Sequence, residues 1–280
     1  MKIIIHGGFF SESSQTAETK IAKQQSLTNI IDRSWDYLKE HTAAETAVFA
    51  VSLLEDDELF NAGTGSQIQS DGKIRMSASL MNGETQRFSG VINIESVKNP
   101  IKVAELLKDE DDRVLGGQGA KIYASSHGIE DYSTEIPQRR SEYEEKLKNG
   151  GLGTVGCVVL DKDGMLAAAT STGGKGFELV GRISDSATVA GNYADRHCAV
   201  SCTGVGEDIV SNATATKIVT RVSDGLSVQE AFRRTFSELA EIGGFAGAIG
   251  IDSYGNIHFQ ESHPTMVFAA YDGEKHMMFK

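Results

Sequence analysis

Apolar residues along the chain recur at both helical and strand spacing, which predicts a mixed fold. A buried helical stripe is predicted by apolar residues three and four positions apart, at Leu27, Ile31, Trp35 and Leu38. Thr42 and Glu45 form the pattern of a capping box and predict the start of a second helix. The inward face of that helix is predicted at Ala47, Val48 and Val51. Further helices are predicted over residues 100–107, 208–222 and 227–242.

Short β-branched runs predict strands over much of the chain. The predicted strands cover residues 3–5, 74–76, 90–94, 155–160, 166–170, 199–202, 248–252, 256–260 and 266–271. We expect the first strand to end in a turn at His6-Gly7-Gly8, and Asp161-Lys162-Asp163-Gly164 predicts a hairpin turn. Strands and helices come in clusters rather than in strict βαβ alternation. This favours an α+β fold with largely antiparallel pairing.

Composition and charge narrow the class of protein. The 280 residues are 40% hydrophobic and 24% charged, as in ordinary globular proteins, and carry a formal net charge of −12. A phosphate-binding surface needs a surplus of Lys and Arg, so we expect no nucleic-acid partner. We also expect no membrane association, since no apolar run approaches the roughly 20 residues that span a bilayer. The first apolar segment is too short for a secretory signal, which favours a cytoplasmic protein.

The three cysteines are predicted to be reduced, buried thiols. Cys198 and Cys202 lie near His197, and these residue types bind zinc. A structural zinc site takes four ligands in paired spacing, and no second pair accompanies them. Cys157 stands apart inside a predicted strand, so small apolar core residues are the favoured interpretation for all three.

The stretch from Gly151 to Gly156 can be interpreted in two incompatible ways. As Gly-x-Gly-x-x-Gly it matches a dinucleotide-binding loop, which must follow a strand and open a helix. Here a charged, helix-like segment comes before it and a predicted strand comes after it, so the order is reversed. As Gly-Thr before a strand, it matches a peptide bond that cuts itself and releases a threonine nucleophile. The polar segment at about 125–153 is predicted to be a mobile linker that lets the new ends separate.

A threonine hydroxyl is a poor nucleophile unless a nearby base takes its proton. The free α-amine of an N-terminal threonine can do so, because it titrates near neutrality. Thr154 would gain that amine only if the bond after Gly153 is cut, and glycine permits the unusual backbone angles of a strained bond. Downstream, Arg182 offers a fork for a carboxylate and Asp185 an anion for an ammonium group. Together they could hold an α-amino acid head group, although a surface salt bridge is the simpler alternative.

At this point the chain resembles the plant-type asparaginases, or isoaspartyl peptidases, of the N-terminal nucleophile hydrolase superfamily. The resemblance runs nearly end to end through seven motifs in family order, at residues 6–8, 59–63, 116–120, 153–156, 170–174, 181–185 and 201–206. It implies a four-layer αββα sandwich, formed by a single domain over residues 1–280. It also implies self-cleavage into an α chain of residues 1–153 and a β chain of residues 154–280. We expect a homodimer of such αβ units.

The resemblance also implies a role for each site residue. Thr154 would be the nucleophile and Thr172 its hydrogen-bond partner, while the Thr203 hydroxyl and the Gly204 N–H would form the oxyanion hole. Arg182, Asp185 and Gly206 would bind the substrate, with Asn61 at the edge of the site. No cofactor is implied for catalysis. A structural monovalent cation, which we expect to be sodium, would be held by backbone carbonyls of Leu54, Glu55, Asp57, Phe60, Ala62 and Thr64.

Three features depart from the family pattern. Phe9-Phe10 follows His6-Gly7-Gly8, where the family usually has small residues, so pocket shape or the rate of self-cleavage is expected to differ. Near the C-terminus the chain has Ser262-His263-Pro264-Thr265-Met266, where the family tends to have Asn-Thr before Gly-Met. The linker is also short.

The sequence therefore predicts an amidohydrolase that acts on the side-chain amide of asparagine and on β-aspartyl dipeptides. The reaction would pass through a β-aspartyl ester on Thr154. Three alternatives stay open: a specificity like that of glycosylasparaginase, a catalytically silent homologue that acts as a binding protein, and a nucleotide-binding domain.

Overall fold

A computed structural model describes residues 1–10, 16–145, 153–263 and 265–280. Its helices are α1 (Ala17–Leu38), α2 (Ala43–Glu55), α3 (Pro100–Leu106), α4 (Gly117–Ser126), α5 (Pro137–Glu144), α6 (Gly206–Asn212), α7 (Thr214–Ser223) and α8 (Val228–Glu241). Its strands are β1 (Lys2–Phe9), β2 (Met76–Asn82), β3 (Arg87–Ile94), β4 (Val114–Gly116), β5 (Thr154–Leu160), β6 (Leu166–Thr172), β7 (Asn192–Ala194), β8 (Cys198–Gly204), β9 (Ala246–Asp252), β10 (Ile257–Glu261), β11 (Met266–Tyr271) and β12 (His276–Met278). Two short 3-10 helices cover Leu107–Asp109 and Asp185–Ala187.

The strands form two sheets. The larger has the order β12-β11-β1-β5-β6-β2-β3-β4, and the smaller has the order β10-β9-β8-β7. Pairing is antiparallel except between β3 and β4, which confirms the predicted preference. The fold is mixed α/β.

Helices pack against both sheets, and the two sheets pack against each other. Helices α1, α2 and α3 contact the larger sheet, while α7 and α8 contact the smaller one. Strands β5 and β6 of the larger sheet contact β8 of the smaller sheet. Strand β5 lies in the middle of the larger sheet and is buried along its whole length. Gly156 on β5 and Ser201 on β8 therefore face each other in the interior.

Several local predictions are confirmed. The hydroxyl of Thr42 accepts a hydrogen bond from the Glu45 N–H, and the Glu45 carboxylate accepts one from the Thr42 N–H, as in a capping box. The predicted hairpin is formed by β5 and β6, and strand β11 has the predicted bounds. Cys157, Cys198 and Cys202 are buried free thiols, and burial raises their pKa. The described residues contain no cluster of three His, Cys, Asp or Glu side chains suited to a metal ion.

Three predicted boundaries are wrong. Strand β1 does not turn at His6-Gly7-Gly8 but continues to Phe9, because β11 pairs with it as far as that residue. The helix predicted over residues 208–222 is two helices, since Ala213 adopts a left-handed φ of 51° between them. The strand predicted at 74–76 begins at Met76 and runs to Asn82, where β3 and β6 pair with it on both sides.

The segment before Thr154 contains more regular structure than predicted. Helix α5 lies inside the predicted linker at about 125–153, and Arg139 on this helix donates a hydrogen bond to the Gly65 carbonyl at 2.9 Å. Residues 146–152 of the linker lie outside the described residues, and mobility of the linker stays a prediction. A strand follows Gly153, so the order that a dinucleotide-binding loop requires is not met. Within the described ranges, no helix is long and apolar enough to cross a membrane.

Candidate active site

Thr154 is the first residue of the central strand β5. Its side chain is 6% exposed, and it is the direct cross-strand partner of Thr172, the last residue of β6. The Thr154 hydroxyl lies 3.5 Å from the Ser186 hydroxyl, within reach of a weak hydrogen bond. Thr154 and Thr172 are thus cross-strand neighbours, and Gly153 lies directly before the strand. The Thr172 hydroxyl accepts from the Gly174 N–H at 3.2 Å, and within the described residues no hydrogen bond joins it to the Thr154 hydroxyl, so that predicted bond stays a prediction.

A buried hydrogen-bond chain holds the backbone of Thr154. His6 Nδ1 lies 2.9 Å from the Thr154 carbonyl oxygen, which can only accept, so Nδ1 carries the proton. His6 Nε2 therefore accepts from Ser201 Oγ at 2.8 Å, and Ser201 Oγ accepts in turn from Thr170 Oγ1 at 2.7 Å. Full burial lowers the pKa of His6 to about 3, although its bond to Thr154 opposes that shift. The imidazole is thus neutral and its proton has one defined position.

Glycine at position 156 makes room for this chain. A Cβ there would collide with Ser201 Oγ and His6 Nε2. His6 and Thr170 are the cross-strand partners of Gly156 on its two sides. The Gly-Thr-Val-Gly stretch therefore joins a nucleophile candidate to a position on β5 that only a residue without a Cβ can occupy.

Asn61 borders the site on the side of Gly153. A Cβ on Gly153 would stand 2.9 Å from Asn61 Cβ. The Asn61 amide donates to the Gly174 carbonyl at 2.5 Å, and its Oδ1 accepts from the Gln67 N–H at 3.0 Å. These bonds fix the loop that follows Thr172. Asn61 therefore lies beside Gly153, next to the candidate site.

The predicted oxyanion-hole residues lie at the end of β8 in the facing sheet. Thr203 is fully buried, and its hydroxyl has no hydrogen-bond partner among the described residues. Gly204 has a φ of +137°, a conformation that glycine adopts without strain. A buried hydroxyl without a partner costs about 1–3 kcal/mol of stability. A group that accepts a hydrogen bond from Thr203 would remove that cost.

Arg182, Asp185 and Gly206 meet at one place. A Cβ on Gly206 would stand 2.8 Å from Arg182 Nη2 and 2.9 Å from Asp185 Oδ1. Asp185 is buried, and its Oδ2 has no hydrogen-bond partner among the described residues. Burial raises the pKa of Asp185 to about 7, and the nearby charge of Arg182 opposes the shift. An ammonium group at this place would stabilise the ionised carboxylate.

Arg182 is paired with a residue that sequence analysis did not predict. Its Nε and Nη2 atoms donate to the two carboxylate oxygens of Glu207, each at 3.0 Å. These bonds, together with Lys175, lower the pKa of Glu207 to about 2 against the effect of its partial burial. The Glu207 side chain is 49% exposed and the Arg182 side chain only 15%. The fork that was predicted to bind a substrate carboxylate thus already holds a carboxylate from the chain itself.

Comparison with known proteins agrees with this geometry. The family model described as Asparaginase matches residues 1–150 and 131–279. The chain belongs to the asparaginase family. An isoaspartyl peptidase/L-asparaginase of Nostoc sp. is 44% identical, over 98% of this chain and 92% of the relative. An Escherichia coli isoaspartyl peptidase is 36% identical over 91% and 88%, and a plant-type L-asparaginase of Pyrococcus abyssi is 32% identical over 95% of each.

In this asparaginase-family chain, the predicted cation loop is tightly folded. The Thr64 N–H donates to the Glu55 carbonyl at 2.7 Å and closes the loop, and the Phe60 N–H donates to the Asp57 carbonyl at 3.1 Å. Gly63 and Gly65 adopt φ values of +55° and +91°. A Cβ on Gly65 would stand 2.9 Å from the Glu58 and Phe60 carbonyl oxygens, so these oxygens converge. Neutral carbonyl ligands on a tight loop suit a hard monovalent cation.

Next to this loop lies a buried carboxyl group. Glu55 is fully buried, and its Oε1 accepts from Ser171 Oγ at 2.6 Å and from the Ile101 N–H at 3.1 Å. Burial raises the pKa of Glu55 to about 8, which its hydrogen bonds partly oppose. Ser171 precedes Thr172 on β6, so the predicted cation loop and the candidate site are joined through the Glu55 side chain.

Sequence analysis missed four polar residues of this region. These are Ser186, Ser201, Thr170 and Glu207. Ser186 and Glu207 lie one residue beyond noted motifs, directly after Asp185 and Gly206, and their own positions carried no separate signal. Ser201 and Thr170 are buried strand residues, and a polar residue on a strand that is buried on both faces is the signal that could have found them.

Proposed function

We propose that this chain is a self-processing isoaspartyl peptidase and L-asparaginase whose nucleophile is Thr154. The observation that carries the proposal is the position of Thr154. It is a buried threonine at the first residue of a central strand, directly opposite Thr172, and it directly follows a glycine. The names of the relatives from Nostoc sp. and Escherichia coli support the same activity.

Self-cleavage would begin at the peptide bond between Gly153 and Thr154. The Thr154 hydroxyl attacks the Gly153 carbonyl carbon, the acyl group moves from nitrogen to oxygen, and water then hydrolyses the ester. The products are a carboxylate on Gly153 and a free α-amine on Thr154. That amine can accept the hydroxyl proton in later turnovers, because it belongs to the same residue. The bond of His6 to the Thr154 carbonyl would hold the new N-terminus in place.

Catalysis would proceed in two acyl-transfer steps. Arg182 and Asp185 bind the α-carboxylate and α-ammonium groups of the substrate, which places its side-chain carbonyl at Thr154. The hydroxyl attacks that carbonyl, and the oxyanion accepts hydrogen bonds from the Thr203 hydroxyl and the Gly204 N–H. Ammonia or an amino acid leaves with a proton, and water releases aspartate from the Thr154 ester.

The proposal includes three features of the assembly. The two sheets and their covering helices form a four-layer αββα sandwich of the N-terminal nucleophile hydrolase type. The αβ units pair as homodimers. A sodium ion binds the carbonyls of the loop over residues 54–64 and stabilises the loop that carries Asn61.

An intact-mass time course combined with product assays tests the proposal. The purified chain should split into two fragments, the smaller beginning with Thr154, and should then release ammonia from L-asparagine and free amino acid from β-aspartyl dipeptides. Thr154→Ala should stay uncut and inactive with an unchanged far-UV spectrum. Thr216→Ala is the matched control, since Thr216 lies on α7 and bonds to the Val189 carbonyl. It should cleave and turn over normally. A wild-type chain that stays whole through long incubation would overturn the proposal.

A further inference from the structure

Two of the three departures from the family pattern lie in contact with each other. Phe9, after the His6-Gly7-Gly8 motif, is the cross-strand partner of Met266 on β11. The Phe10 N–H donates to the Thr265 carbonyl at 3.2 Å. The unusual residues at the end of β1 and those before β11 thus form one local structure, although more than 250 positions separate them in the chain.

Three rings connect this local structure from the interior to the surface. The rings of Phe9 and Phe245 pack edge to face with centroids 4.7 Å apart, and the rings of Phe245 and His263 stack at 4.7 Å. Phe9 is 5% exposed, Phe245 is half-buried and His263 is exposed. We call these three residues the aromatic wall. Offset and edge-to-face pairs of this kind are stabilised by about 0.5–1.5 kcal/mol beyond their buried area.

The aromatic wall borders the strand end that carries Thr203 and Gly204. The Val205 N–H donates to the Phe245 carbonyl at 3.0 Å, directly after Gly204. Thr203 is paired with Gly247, and a Cβ on Gly247 would stand 2.9 Å from Phe9 Cζ. The Phe9 ring therefore occupies the space beside the Thr203 backbone. Glycine at position 247 is required for that packing.

This location determines which part of a substrate could reach the wall. Arg182, Asp185 and Gly206 lie just before and just after the β7–β8 hairpin, where they would hold the aspartyl head group, and the acyl carbonyl would lie at Thr203 and Gly204. The remaining part of a β-aspartyl dipeptide is the amino acid that leaves. Its side chain can extend along the wall, from the half-buried Phe245 ring toward the exposed His263 ring. Small residues at these positions would offer no such apolar surface.

We propose that Phe9, Phe245 and His263 form a subsite for the leaving amino acid of β-aspartyl dipeptides, which selects apolar and aromatic side chains. The proposal rests on the proposed function and adds the substrate class to it. Phe9 forms the buried base of the subsite, and the half-buried Phe245 ring contacts the leaving side chain. L-Asparagine has no leaving side chain, so its turnover is independent of the wall.

The test compares three substrates in the wild type and in Phe245→Ala. The substrates are β-aspartyl-phenylalanine, β-aspartyl-alanine and L-asparagine, and kcat/KM is measured for each. We expect Phe245→Ala to lower kcat/KM for β-aspartyl-phenylalanine by about tenfold relative to β-aspartyl-alanine, and to leave L-asparagine unchanged. Phe245→Leu, which keeps apolar bulk, should lie between the two and provides a second variant if the alanine variant folds poorly. Melting temperature and intact mass are recorded for every variant.

Phe259→Ala is the matched control. Phe259 is 40% exposed, and its ring packs at a tilt against Phe268, with centroids 4.0 Å apart, outside the wall. Its removal should leave the ratio between the two dipeptides unchanged. An equal fall for all three substrates in Phe245→Ala, or an unchanged ratio, would overturn the subsite. A wild-type chain that cleaves none of the three substrates would instead overturn the proposed function, so the two failures are distinguishable.

Discussion

His6 Nδ1 donates a hydrogen bond of 2.9 Å to the carbonyl oxygen of Thr154, and thereby joins the first strand of the chain to the candidate nucleophile. The two residues lie 148 positions apart. Because the carbonyl belongs to Thr154 itself, the bond survives a cut before that residue. It fixes the backbone of Thr154 whether or not the preceding residues stay attached.

Substitution of His6 should change how stability depends on pH. Burial lowers the pKa of His6 to about 3 from an ordinary value of 6.5. Between these two values the unfolded chain binds a proton that the folded chain does not, so the stability that His6 contributes is complete above pH 6.5 and is lost as pH falls toward 3. In the uncut Thr154→Ala background, the free energy of unfolding should fall more steeply below pH 6.5 with His6 than with His6→Gln, by up to about 1.4 kcal/mol per pH unit. Urea denaturation of both proteins from pH 4 to 8 measures this. The same pH dependence of the unfolding free energy with His6 and with His6→Gln would contradict the prediction.

Glu207→Gln should lower KM for L-asparagine. Glu207 occupies the Arg182 fork, and a substrate carboxylate must compete with it. A partly exposed ion pair contributes about 0–1 kcal/mol, so KM should fall by up to about fivefold while kcat stays unchanged. Glu230→Gln, which breaks a pair with Arg233 and Arg234 on α8, is the control and should leave KM alone. A higher KM in Glu207→Gln would mean that Glu207 orients Arg182 instead.

The charge on Asp185 should govern activity below neutral pH. Burial raises the pKa of Asp185 to about 7, so the carboxyl group is increasingly protonated as pH falls below that value. A neutral carboxyl group loses its attraction for the substrate ammonium, and kcat/KM of the wild type should therefore fall about tenfold per pH unit below about 7. Asp185→Asn should have lower activity and should lack this inflection. The Thr154 amine titrates in both proteins, so the comparison separates the two groups. If kcat/KM depends on pH in the same way in the wild type and in Asp185→Asn, the loss of activity below pH 7 is not due to Asp185.

Sodium should raise the melting temperature if the loop over residues 54–64 binds it. A ligand that binds only the folded state stabilises it by RT ln(1 + [L]/Kd). We expect a higher Tm in sodium chloride than in choline chloride at the same ionic strength. Gly63→Ala should lose that difference, because its Cβ would collide with the Glu55 backbone. Equal melting temperatures of the wild type in the two salts would exclude a sodium site of useful affinity.

Sequence patterns correctly predicted the elements that depend on interactions between residues close together in the chain. The capping box at Thr42 and the hairpin turn after Leu160 depend on residues a few positions apart, and both were predicted correctly. The break at Ala213 was missed, because alanine in a left-handed conformation carries no local signal and depends on contacts with distant residues. One such contact is the hydrogen bond from the Ala215 N–H to the Ala190 carbonyl at 2.8 Å.

In the candidate site, too, features within one segment were predicted and contacts between distant segments were not. Arg182 and Asp185 were predicted from their side-chain chemistry to act together, and both lie beside Gly206. The pairing of Arg182 with Glu207, and the contact of His6 with Thr154, depend on which strands and loops become neighbours. Strand order is a property of the whole sheet, and a pattern within one segment does not determine it. The contact between Phe9 and the C-terminal residues also depends on strand order, and no pattern within one segment predicts it.

The strand order of the larger sheet has a consequence for the two fragments that self-cleavage would produce. Strands β1, β2, β3 and β4 precede Gly153, while β5, β6, β11 and β12 follow it, so the order along the sheet switches fragment three times. The two fragments would therefore be held together by three hydrogen-bonded strand pairs, β11 with β1, β1 with β5, and β6 with β2. A precursor refolds as one chain, whereas the mature protein must refold as a bimolecular reaction between two partial sheets with exposed edges. Self-cleavage would therefore make refolding depend on concentration, and the working lifetime of the cut protein would be set by how slowly it unfolds.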